Sequence, residues 1–406
     1  MDLETVTMLT VVALAAVVAP FVVDRLEPVV RLPSAVVEIL LGILLGPLLL
    51  GLVHESPVID AMADLGLAFL MFLAGYEIEF ARIRGGPLRT AASSWVVSLG
   101  LGLGVGVLLA GAEAGLVVGL ALTTTALGVI LPIVRDAGAT GTPFGDRVLA
   151  VGTVGEFGPI LAIAFVLSGQ RPAKTVVVLL IFAALAVYGA FLARKPRHPR
   201  LGRVVTATLG TSSQVAVRLC VLVVVAMFAL ALGLGLDPVL GAFTAGILVH
   251  LFLGSSDPLE SKVVESRLEG IGFGFLIPIF FVMSGVTLDV QAMLADPRVL
   301  WTVPVLVVLF LVVRCVPTFL FHRRALGRAD ALALGLMSAT ALPLVVVITT
   351  VGTTVGMLPE SHAAALVTAA IVSVLVFPVA AETVRRRAMP AAPAGGGSST
   401  NQEVQG

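Results

Sequence analysis

Interfacial aromatics are nearly missing from this chain: Trp and Tyr number only two each in 406 residues, so no aromatic belt can be argued. Charge is scarce as well. Asp, Glu, Lys and Arg make up 12% of the residues, against about 25% in soluble globular proteins. The formal net charge is zero, which argues against nucleic-acid binding. Cysteine is confined to Cys220 and Cys315, both inside apolar runs. They form no disulfide framework and read as small packing residues. The chain starts Met1-Asp2-Leu3-Glu4, with no basic stretch ahead of its first apolar run. That run is therefore expected to stay as a membrane span rather than be cleaved as a signal peptide. There is no metal cluster, catalytic triad or nucleotide motif. Neither a cofactor nor enzymatic activity is expected.

What remains is apolar. Hydrophobic residues make up 58% of the chain and mean hydropathy is +1.09. Such an excess calls for a lipid bilayer as partner, and a membrane helix needs about 20 mostly apolar residues. Thirteen such runs can be read, at roughly 3–23, 33–53, 57–78, 90–110, 113–134, 147–168, 174–193, 212–234, 237–254, 270–288, 299–321, 330–352 and 363–384. They are called spans 1 to 13. The expected fold is all-α and polytopic, with a disordered Pro/Ala/Gly/Ser-rich tail at 388–406.

Basic residues test the count, because Lys and Arg concentrate on the cytoplasmic side. Of the 25 Lys and Arg, 20 fall after odd-numbered spans or in the tail, and 3 fall on the other side. The remaining two, Arg218 and Arg314, lie inside spans. The largest basic loop, Arg194 to Arg200, follows span 7. This contrast puts the N-terminus outside the cell membrane and the C-terminus in the cytoplasm.

Three segment pairs recur in order. Gly42-Ile43-Leu44 of span 2 matches Gly246-Ile247-Leu248 of span 9. Ala74-Gly75-Tyr76-Glu77-Ile78-Glu79 of span 3 matches Ser284-Gly285-Val286-Thr287-Leu288-Asp289 of span 10. Thr125-Ala126-Leu127-Gly128 of span 5 matches Thr340-Ala341-Leu342-Pro343 of span 12. The offsets of 204, 210 and 215 drift smoothly. A shift of seven spans gives the copies opposite membrane orientations, an architecture of secondary transporters. Repeat one is assigned to about 1–170 and repeat two to about 212–387, with span 7 as the link between them.

Spans 5 and 12 read as interrupted. Thr123-Thr124-Thr125 sits mid-span, with Gly128 and Pro132 after it, and Ser338, Thr340 and Pro343 stand at the matching depth. Hydroxyl residues and proline permit local unwinding, which frees carbonyls and helix ends. Two crossing interrupted helices would aim their dipole ends at one point. The plainer alternative is that Ser and Thr only back-bond within ordinary helices.

Charges inside spans are costly and mark function. Here they are Glu38, Asp64, Glu156, Arg218 and Arg314. Glu156 lies mid-span in Gly152-Thr153-Val154-Gly155-Glu156-Phe157-Gly158-Pro159, where glycines leave room for a ligand. A carboxylate there can hold a proton or a cation, but poorly both, and that competition is the simplest form of antiport. Thr124, Thr125, Thr153 and Asp64 complete the candidate cation- and proton-binding set. Arg314, always charged, needs either Glu156 or the carbonyl ends of the broken helices as partner. Arg218 can snorkel to the interface. Glu38 and Asp64 lie near their span starts, where each serves as a cap, an anchor or part of the ion path.

With these residues in view, the chain resembles bacterial cation:proton antiporters of the Kef/Nap type over about residues 5 to 385. The carriers are Pro33 to Pro47 in span 2, Asp64 to Gly75 in span 3, the threonine run of span 5, and Pro278-Ile279-Phe280-Phe281-Val282 with Gly285 in span 10. The resemblance implies a homodimer whose mobile core holds spans 5, 6, 11 and 12. Its members carry Asp-Asp or Asn-Asp on span 6, where this chain has Gly155-Glu156. A basic residue on span 11 is also typical, and Arg314 stands there. One carboxylate in place of two implies one proton per cation, hence electroneutral exchange. No C-terminal regulatory domain is expected after span 13. The expected activity is exchange of Na+ or K+ for H+. An ion-coupled organic solute or drug carrier, or a channel or sensor, are the rival readings.

Overall fold

The computed structural model describes residues 3–26, 34–76, 85–166, 214–234, 238–253, 258–288 and 295–388, with a few isolated positions between these segments. Its regular elements are all helices among the described residues. Eight of them are long and apolar enough to cross a membrane, and the shorter apolar helices Ser34–Leu45, Ala112–Ala121 and Pro238–Leu253 fall in spans 2, 5 and 9. Span 6 is the helix Pro143–Val166. The body of span 7, the basic loop at 194–200 and the tail from 389 lie outside the described residues, as do Glu77 to Glu79 and Asp289 of the repeat segments.

Two boundaries differ from expectation. Span 2 stops at Leu45 rather than running on to 53. Pro47 lacks an N–H and disfavours helical geometry at Gly46. The chain then folds back, so that the Leu52 and Val53 N–H groups donate to the Leu45 carbonyl at 3.0 and 3.1 Å. Span 10 starts earlier, because the charged helix Pro258–Ile271 runs without a gap through a π-helical turn, Gly272–Leu276, into Ile277–Val286. A second π turn, Leu311–Cys315, carries Arg314 within span 11. Such turns insert a residue into the helical ladder and recur at functional sites.

The helices sort into two bundles. Spans 1, 2, 3, 8, 9 and 10 pack chiefly on one another, and spans 4, 5, 6, 11, 12 and 13 do the same. In the first bundle the repeat is visible as geometry. Span 2 crosses span 10 where a Cβ on Gly42 would strike the Val282 carbonyl oxygen, and a Cβ on Gly285 that of Ile39. Span 3 crosses span 9 where a Cβ on Gly246 would strike the Phe72 carbonyl oxygen, and a Cβ on Gly75 that of Phe243. Adding 204 to Ile39 gives Phe243, and adding 210 to Phe72 gives Val282. The second crossing is therefore the first one with the copies exchanged. Small residues are required because backbone rests on backbone.

In the second bundle both interrupted spans are present. Span 5 is helix Ala112–Ala121, a break, then helix Leu127–Asp136. Span 12 is helix Arg328–Ser338, a break, then helix Pro343–Thr354. Pro343 begins its half-helix, where a missing N–H costs nothing. Pro132 does not mark a break: it lies inside Leu127–Asp136. The chain leaves the helix earlier, at the threonines, whose hydroxyls cap it. Thr123 Oγ1 donates to the Leu120 carbonyl at 2.7 Å and Thr124 Oγ1 to that of Ala121 at 2.8 Å. Gly128 likewise falls just past the break, as the second residue of the half-helix.

Candidate functional site

The two breaks touch. The Ala126 N–H donates to the Thr340 carbonyl at 2.8 Å, and Thr125 Oγ1 donates to the Ser338 carbonyl at 2.6 Å. Opposed half-helix ends thus meet at one depth, with C-terminal carbonyls and N-terminal N–H groups facing each other. Span 6 closes the third side. The Thr125 N–H donates to the carbonyl of Gly155 at 3.0 Å, which fixes the break of span 5 next to Glu156. Glu156 is only 2% exposed; Glu38 is the other buried carboxylate among the described residues.

Arg314 is fully buried. Its Nε and Nη2 donate to Thr125 Oγ1 at 3.2 and 2.5 Å, and its Nε also approaches the Ser338 carbonyl at 3.4 Å. The guanidinium therefore sits at the carbonyl end of the first half of span 12, where a cation is favoured. Its Nη1 has no hydrogen-bond partner among the described residues. A Cβ on Gly155 would lie 2.5 Å from Nη2, so Arg314 fills the space beside span 6 that a side chain at 155 would need. Thr125 Oγ1 lies closer still to the same Cβ.

The candidate residues separate accordingly. Thr125 anchors Arg314, its hydroxyl oxygen accepting from the guanidinium. Thr124 is buried with its hydroxyl on Ala121. Thr153 stands one turn before Glu156, is 6% exposed, and its hydroxyl has no hydrogen-bond partner among the described residues. Asp64 is exposed on span 3, in the other bundle, and is not part of the buried cluster. Glu38 also belongs to that bundle, on span 2, and Arg218 is exposed on span 8.

Several participants carried no signal in the sequence. Trp95 Nε1 donates to the Thr123 carbonyl at 3.2 Å. Ser373 of span 13 accepts the Ala341 N–H at 3.0 Å. His322, fully buried, donates from Nδ1 to the Thr318 carbonyl at 2.9 Å. Phe157, next to Glu156, stacks on Phe243 with ring centroids 5.3 Å apart, so the site rests against the glycine crossing of the first bundle. No group of three or more His, Cys, Asp or Glu gathers among the described residues. What the arrangement offers is one buried carboxylate, one nearby unpartnered hydroxyl and helix-end carbonyls, ligand types suited to a proton or a small hard cation.

Residues 12–384 match the family described as "Sodium/hydrogen exchanger, transmembrane". A Bacillus subtilis protein named as a candidate Na+/H+ antiporter, YjbQ, is 28% identical over 403 residues, covering 94% of this chain and 64% of that protein. The chain thus spans a little under two thirds of that relative's length. GerN of Bacillus cereus, named a Na+/H+-K+ antiporter, is 26% identical over 63% of this chain and 65% of its own length. Among solved structures, the sodium proton antiporter MjNhaP1 of Methanocaldococcus jannaschii superposes with a TM-score of 0.68. It is 14% identical, and the match covers 94% of this chain and 97% of that one.

Proposed function

The chain belongs to the sodium/hydrogen exchanger family, a family of multi-pass membrane proteins, and from that premise we propose that it is a secondary antiporter exchanging a monovalent cation for protons. The names of the relatives favour Na+, with K+ as the second candidate. Glu156 is the shared binding group: it carries either the cation or a proton, and alternating access delivers whichever is bound to the other side. Thr153 and carbonyls of the span 5 break are the accompanying ligands. With Gly155 in place of a second acid, one proton leaves per cation and exchange is electroneutral. The bundle of spans 4–6 and 11–13 moves against the bundle of spans 1–3 and 8–10. The N-terminus faces outward, the C-terminus lies in the cytoplasm, and the protein assembles as a homodimer in the cell membrane.

One observation carries this reading: a buried carboxylate adjoins a broken helix that is hydrogen-bonded to the residue before it. The test is proton movement in proteoliposomes with an internal pH dye, on addition of NaCl, KCl or LiCl, with and without a valinomycin clamp. A response to one salt, unchanged by the clamp, establishes electroneutral antiport and names the ion. Glu156→Gln is expected to abolish that response while eluting as a monodisperse folded protein. In the intact protein the half-saturating cation concentration rises as pH falls, because the two ions compete. Silence with every salt would turn attention to solute transport or conduction.

A further inference from the structure

The broken helices end alike but are capped differently. Ser338 and Thr123 lie 215 residues apart, the same offset that relates Thr340 to Thr125. Their carbonyls close the first halves of spans 12 and 5, and each receives a donor from the preceding span. Ser338 takes Arg314 of span 11 at 3.4 Å; Thr123 takes the Trp95 indole N–H of span 4 at 3.2 Å. One cap is a permanent cation and the other is neutral. The neutral one also reaches span 6: a Cβ on Gly158 would lie 2.6 Å from Cε2 and Cζ2 of Trp95. Trp95 therefore touches both the threonine break and the helix of Glu156, two residues past the carboxylate.

We infer that Trp95 is a positioning residue for ion binding, whose N–H holds the Thr123 carbonyl and with it the threonine break in register with Glu156. The inference rests on the antiport reading above. A neutral donor suits this place. It steadies the carbonyl end of the half-helix without cancelling the negative potential there, whereas a second guanidinium would repel the cation. The terminal carbonyl of the span 12 half-helix thus has a charged donor, and that of the span 5 half-helix a neutral one.

Two substitutions separate the N–H from the ring. Trp95→Phe puts its ring where the five-membered ring of the indole stood, and so loses the donor together with the outer ring. Trp95→His loses the fused ring but keeps an N–H, since imidazole Nε2 occupies the same place in its five-membered ring as indole Nε1. In the proteoliposome assay, Trp95→Phe is expected to raise the half-saturating cation concentration by roughly fivefold to tenfold, the loss of about one hydrogen bond. Its maximal rate should stay within about twofold. Trp95→His should return half-saturation to within about twofold of the unsubstituted protein. Phe behaving like Trp would overturn the inference. So would His being as impaired as Phe, because ring packing on Gly158 would then be the cause. Should Trp95→Phe fail to fold, Trp95→His decides alone: unshifted half-saturation supports the role and a shift refutes it. If the unsubstituted protein exchanges no cation, the antiport reading falls and takes this inference with it; failure of the inference alone requires an active parent.

Discussion

At the crossings of span 2 with span 10 and of span 3 with span 9, the two repeat copies make the same contact twice, glycine against carbonyl, with residue offsets preserved. At the breaks of spans 5 and 12 they do not. Ala126 donates to Thr340, yet Ala341 turns away to Ser373, and the matched terminal carbonyls receive a tryptophan in one copy and an arginine in the other. Packing follows the internal two-fold, while chemistry departs from it. A frame gains from identical contacts, since one solution serves both halves. On the antiport reading proposed above, a site that distinguishes a cation from its surroundings needs charge that is not mirrored, and Arg314 and Glu156 would supply it.

That contrast can be broken by mutation, and the largest effect is expected at its charged end. Arg314→Ala removes the donor shared by the Thr125 hydroxyl and the Ser338 carbonyl and leaves a buried gap. We expect a loss of about 3 kcal/mol in detergent unfolding and no measurable exchange; normal stability with normal exchange would show that the asymmetry is incidental. Next come the crossings. Gly42→Ala and Gly246→Ala each force two backbones apart, at about 1–3 kcal/mol. Being images of one another, they should agree within about 0.5 kcal/mol, as should Gly75→Ala and Gly285→Ala. Unequal melting shifts within a pair would deny the equivalence. The smallest effect belongs to Ser373→Ala, which removes the acceptor of the Ala341 N–H: about 1 kcal/mol of stability, with exchange retained. Loss of transport there would place Ser373 in the mechanism and not in the frame.

Much of this was legible beforehand, for identifiable reasons. Glycines that let backbones touch cannot be replaced, so Gly42, Gly75, Gly246 and Gly285 carry the repeat in plain sequence. Glu156 announced itself because a carboxyl inside an apolar run has few structural excuses. Consecutive threonines signalled the break of span 5, while Pro132, read as part of it, proved to lie within the helix beyond. The caps were invisible. Trp95 needs only an N–H at the right distance from a carbonyl 28 residues away, and no local pattern encodes such a reach. The same holds for Thr125 and Ser338, joined across 213 residues, and for Ser373. Arg314 was visible as a charge, but its bonds to Thr125 and to the helix-end carbonyl of Ser338 could be found only from the packing.

The scarcity of tryptophan has an experimental consequence. Of the two indoles, Trp301 is 75% exposed on span 11 and Trp95 sits at the break. Replacing Trp301 with Phe leaves a molecule with a single indole beside its two tyrosines, placed against the helix of the carboxylate. Its emission wavelength responds to the polarity around the ring and to the bond its N–H makes. Events at this depth of the protein thereby become observable as light, in real time and with no attached dye, once the indole is excited at wavelengths that tyrosine does not absorb.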